Sequence, residues 1–121
     1  MEQKAQIALE ASIAHWEANC IAMTPDEVRI RTADCALFIK FAVDRCHGCP
    51  VSEVSHTIDC DGTPFREVYI ALHTWIMRYH EQQTSSTKQN SELERWANKE
   101  FNYAARKQLA FLKSLRPEVL K

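Results

Sequence analysis

A chain of 121 residues with 45% hydrophobic and 26% charged side chains has the length of one domain and the composition of a folded one, which argues against disorder. Only 2 Gly and 4 Pro leave too little turn chemistry for an all-β fold, so the chain reads as mainly α. Net charge is −1: residues 1–60 carry 5 basic and 9 acidic side chains and residues 61–121 carry 10 and 7, an asymmetry too small to name a partner. No run approaches the roughly 20 apolar residues of a membrane span, and the start lacks a signal peptide's order. The expectation is a cytoplasmic protein in a reducing compartment, where cysteines serve as metal ligands or plain thiols more often than as disulfides.

In chain order, residues 2–21 read as an amphipathic helix with Ala5, Leu9, Ser12, Ile13, Trp16 and Cys20 on one stripe. Cys20 is thus a small core residue, and His15 lies off the stripe, solvated or at its edge. Thr24-Pro25-Asp26-Glu27 signals a helix start. Val28–Thr32 alternates like a short strand; a helical turn is favoured, then a largely buried helix over 33–44. A cysteine loop covers 45–62. Thr63-Pro64-Phe65 opens a helix to about residue 80 that buries Phe65, Val68, Leu72, Trp75, Ile76 and Tyr79 and leaves His73 and His80 solvated. Residues 81–90 are polar and read as a surface linker. Ser91-Glu92-Leu93-Glu94 forms a capping box for a last helix to 115, with Leu93, Ala97, Phe101, Ala104, Gln108, Phe111, Leu112 and Leu115 on its apolar side and Pro117 as its stop. The expected fold is one compact domain, a bundle of about four helices with the cysteine loop between the second and third.

Cys35, Cys46, Cys49 and Cys60 are spaced C-x10-C-x2-C-x10-C around Cys46-His47-Gly48-Cys49. A Cys-x-x-Cys turn offers two thiolates to one tetrahedral ion, and two flanking thiolates would close a structural zinc site. His47 and His56 could substitute for a ligand. An iron–sulfur cluster is the second option, although only Cys49-Pro50 matches its motifs. Unmetallated thiols are the alternative to both. A redox dithiol would need a strand before Cys46, and no such pattern is present. There is no phosphate-cradling glycine loop, Gly-x-Ser-x-Gly elbow or His-Glu-x-x-His pair, so the expectation is a non-catalytic protein.

On the last helix, Arg95, Lys99, Arg106 and Lys113 fall within a narrow arc opposite the apolar side, with Asn102 between them. Such an arc is either a plain solvated face or a track for phosphates or an acidic protein surface. Aromatic residues do not alternate with the cations along it, and the chain is slightly acidic, so an acidic protein is the better partner.

Ser12-Ile13-Ala14-His15-Trp16, Asp34-Cys35-Ala36-Leu37, Cys46-His47-Gly48-Cys49-Pro50-Val51, Cys60-Asp61-Gly62-Thr63-Pro64-Phe65 and Leu109–Leu115 together resemble small phage and prophage proteins with a cysteine motif. Members of that group often carry a second cysteine three residues after the first, where this chain has Phe38; that thiol is either dispensable or the site here is degenerate. The resemblance implies a phage origin and no established activity. Two functions follow as expectations: an accessory protein that binds a host protein, for example a defence or transcription component, or a small zinc-stabilised nucleic-acid-binding protein.

Overall fold

The computed structural model describes residues 3–29 and 64–116. The expected helix over 33–44, the cysteine loop over 45–62 and the stop at Pro117 lie outside the described residues. What is described is mainly helical: α1 (Gln3–Cys20), a 3-10 turn (Pro25–Glu27), α2 (Phe65–Thr84) and α3 (Lys88–Ser114), with no strand among the described residues. No described helix is long and apolar enough to cross a membrane.

Helix α1 forms on its apolar stripe. Ala5, Leu9, Ser12, Ile13, Trp16 and Cys20 are all buried, joined by Ala8 and Asn19. The helix-start signal after it yields only one 3-10 turn, and Val28 is extended (φ −84°, ψ 135°) where a helical turn was expected. The cause is competition for backbone groups. Thr24 makes no side-chain cap, and the Glu27 carboxylate accepts the Met23 N–H at 2.8 Å. The Asn19 amide then takes both backbone groups of Arg29: it accepts its N–H at 3.1 Å and donates to its carbonyl at 3.0 Å. His15 Nε2 donates to the same carbonyl, so this histidine works as a clasp at the edge of α1. An N–H held by Asn19 cannot continue a helix from Pro25.

Helix α2 buries Val68, Leu72 and Trp75, with Phe65 and Tyr79 partly covered. Ile76, expected inside, is 44% exposed: it is about 40° from Leu72 but about 100° from Trp75, at the edge of the buried side next to exposed Tyr69. His73 and His80 are exposed, as expected.

The expected linker over 81–90 is a second correction. Helix α2 runs on to Thr84 and α3 starts at Lys88, leaving residues 85–87 as the connection. Glu81, Gln82 and Gln83 are polar yet good helix formers, and no Gly or Pro interrupts them. Thr87, not Ser91, caps α3, accepting the Asn90 N–H on its hydroxyl at 3.1 Å. Ser91 is therefore inside the helix, and Glu94 accepts the Trp75 indole N–H at 2.9 Å instead of capping.

Helix α3 is the common wall against which α1 and α2 both pack. Its small buried residues Ala97, Ala104 and Ala105 allow close approach, and Phe101 and Leu112 fill the seams. The pairs Trp75–Glu94 and Glu67–Lys107 run in opposite chain directions, so α2 and α3 form an antiparallel hairpin. Asn98–Ala22 and Arg116–Glu10 make α1 antiparallel to α3 as well. Trp16 meets Phe65 edge-on at 6.4 Å, and this joins α1 to α2.

Candidate binding face on the last helix

Arg95, Lys99, Arg106 and Lys113 are all exposed on α3. Arg95 and Lys113 are eighteen residues apart, which is five full turns, so they lie on one line about 27 Å long. Lys99 and Arg106 fall within about 40° of that line, opposite buried Ala97, Ala104 and Leu115.

Two other cations, Lys107 on α3 and Arg116 just after it, differ from these four in their pairing. Lys107 donates to Glu67 at 3.1 Å, and that bond raises its pKa. Arg116 donates to both Glu10 oxygens at 2.7 and 2.6 Å, which raises its own pKa and holds the Glu10 carboxyl below the ordinary value. Arg95, Lys99, Arg106 and Lys113 make no ion pair or side-chain hydrogen bond among the described residues. The cations bordering the arc are thus neutralised across helix seams, and those within it have no such partner among the described residues.

Burial pushes the Cys20 thiol up, while the charges of Arg106 and Lys113 pull it the other way. Cys20 is buried and is a core residue, as its place on the stripe implied.

Two residues on this face escaped the reading of the sequence. Trp96 is 65% exposed and Tyr103 is 64% exposed, and both flank the cations on the outer surface of α3. The signal was there: neither belongs to the apolar side, although both are large and aromatic. Lys107 Nζ lies 4.6 Å from the centre of the Tyr103 ring. The outer side of α2 carries a second group of exposed apolar residues, Tyr69, Ile70, Ile76 and Met77, with His73 edge-on to Tyr69 at 4.5 Å.

Cys35, Cys46, Cys49 and Cys60, with His47 and His56, lie outside the described residues. Among the described residues no group of three or more His, Cys, Asp or Glu side chains could hold a metal ion. Comparison with protein-family models, curated proteins and solved structures finds no match to the chain.

Proposed function

We propose that the chain is a non-catalytic accessory protein of phage type that binds a host protein in the host cytoplasm. It docks through the outer face of α3 on an acidic surface. The observation that supports this is the contrast in pairing: four exposed cations in register that pair with no described residue, between two cations that do have partners. Unpaired charge held on a rigid helix raises the rate of encounter with an opposite surface and fixes its register.

The test is Arg106→Glu combined with Lys113→Glu. Partner binding is expected to weaken on the order of 100-fold at low salt. The helical signal should be unchanged, and the stability cost at most about 1 kcal/mol, from losing Lys113 against the carbonyl end of α3. Wild-type affinity in the double variant would reduce the arc to a solvated face.

The four-helix bundle expected from the sequence, with its loop stapled at Cys35, Cys46, Cys49 and Cys60, belongs to the same proposal. Zinc is the ion proposed, ahead of an iron–sulfur cluster. Protein purified without chelators should carry about one zinc per chain, and Cys49→Ser should lower metal content and melting temperature together. A chain free of zinc and iron, and equally stable with or without chelator, would remove the metal.

Nucleic acid is the second reading. It is favoured by one observation, the exposure of Trp96 and Tyr103 beside the cations, since aromatic faces among basic residues suit single strands. A steep fall of retention with salt on immobilised DNA or RNA would speak for it.

A further inference from the structure

We propose that Trp96 and Tyr103 are the apolar anchors of the α3 face, and that the segment they receive is an acidic amphipathic helix of the partner protein. The inference rests on the reading of α3 as a binding surface and adds the chemistry of what lies on it.

Trp96 and Tyr103 are seven residues apart, so they point within about 20° of each other and stand roughly 10 Å apart along the axis. The cations form a second row roughly 70° round the helix, on the side where Arg116 reaches Glu10 of α1. Helix α3 therefore carries two parallel rows, one aromatic and one cationic. The chain does bury tryptophan elsewhere: Trp16 and Trp75 are inside, and Trp96 alone of the three is exposed. Trp, Tyr and Arg together are the residues on which interface energy concentrates.

The details of the rows decide the class of partner. Stacking a single strand needs free ring faces and an uninterrupted path for phosphates. One face of Tyr103 is covered by Lys107, which is itself tied to Glu67 at 3.1 Å. Exposed Glu92 stands between the two rows, one turn before Trp96. A phosphate chain carries charge at every step and would meet that carboxylate; a protein helix can leave the position neutral. Tyr103, 64% exposed, offers both an apolar ring and a hydroxyl to a protein partner. A helix lying along α3 would set its apolar stripe on Trp96 and Tyr103 and its carboxylates, on one flank, against Arg95, Lys99, Arg106 and Lys113.

The test uses the full chain and three labelled probes read by fluorescence anisotropy. The first is a helical peptide of roughly 20 residues, enough to span the cation row, with Leu at every third or fourth position and Glu along one flank. The second is the same peptide with Leu replaced by Gln, and the third is an oligothymidylate. The first should bind, the second at least about 10-fold more weakly, and Trp96→Ala should weaken the first about 30-fold with the helical signal intact. The Arg106→Glu, Lys113→Glu variant should weaken both peptides. Equal binding of the two peptides, or wild-type affinity in Trp96→Ala, overturns the anchors while a loss in the charge variant keeps the binding face. Charge reversal without effect removes the face itself. Tighter binding of the oligothymidylate than of either peptide replaces the protein partner by nucleic acid, and failure of all three probes to bind overturns the inference.

Discussion

Trp75→Ala should cost about 3–5 kcal/mol, a large share of the roughly 5–15 kcal/mol by which a domain is stable. Trp75 is 0% exposed and is the largest fully buried side chain among the described residues. Its ring lies 5.2 Å from that of Phe101, tilted by 32°, and fills the seam between α2 and α3. Its indole N–H donates to Glu94 at 2.9 Å. Truncation leaves a cavity in the seam and a carboxylate without its partner, two penalties that add. Trp75→Phe separates them: it keeps an aromatic ring against Phe101 and loses the hydrogen bond, for roughly 1–2 kcal/mol. Urea unfolding followed by circular dichroism measures both. A midpoint unchanged in Trp75→Ala would mean that α2 and α3 do not pack along this seam.

Asn19→Ala should cost about 2–3 kcal/mol, a large effect for one amide. Asn19 is 1% exposed and holds the N–H and the carbonyl of Arg29 at once. After truncation the carbonyl retains His15, but the N–H loses its acceptor. Asn19→Asp should not rescue the loss at neutral pH: the carboxylate still accepts the N–H but faces the carbonyl oxygen with no donor. Hydrogen exchange at the Arg29 amide reads the clasp directly, slow in the wild type and fast in Asn19→Ala. Equal exchange in the two would show that Asn19 does not hold the chain there.

These two residues mark the limits of reading the sequence. The apolar stripe of α1 was legible because each of its members repeats at helical spacing and one solvent-excluded side is enough to account for all of them. Asn19 was not, because its partner is the backbone of Arg29, which no side-chain pattern encodes. The link after α2 was misplaced because polarity reports exposure, and an exposed stretch without Gly or Pro can remain a helix. Ile76 was expected in the core because it follows Leu72 at helical spacing, but it lies at the edge of the buried side, next to exposed Tyr69.

At the candidate site, the outward direction of Arg95, Lys99, Arg106 and Lys113 followed from the period of the helix. Their lack of partners among the described residues did not, since it depends on where Glu67 and Glu10 sit on other helices. Trp96 and Tyr103 could have been found by asking why two large rings stood outside the apolar side. The four cysteines fall outside the described residues, so their spacing remains the ground for the zinc proposal.

The most direct measurement of the claim that α3 is the binding face is hydroxyl-radical footprinting of the chain alone and in complex with the protein that co-purifies from host lysate. Trp96 and Tyr103 report on the outer face of α3, and Tyr69 and Met77 on the outer face of α2; all four are exposed in the chain alone. Binding should shield Trp96 and Tyr103 and leave the labelling of Tyr69 and Met77 unchanged. Shielding of Tyr69 and Met77 with Trp96 and Tyr103 still labelled would contradict it and move the interface to α2.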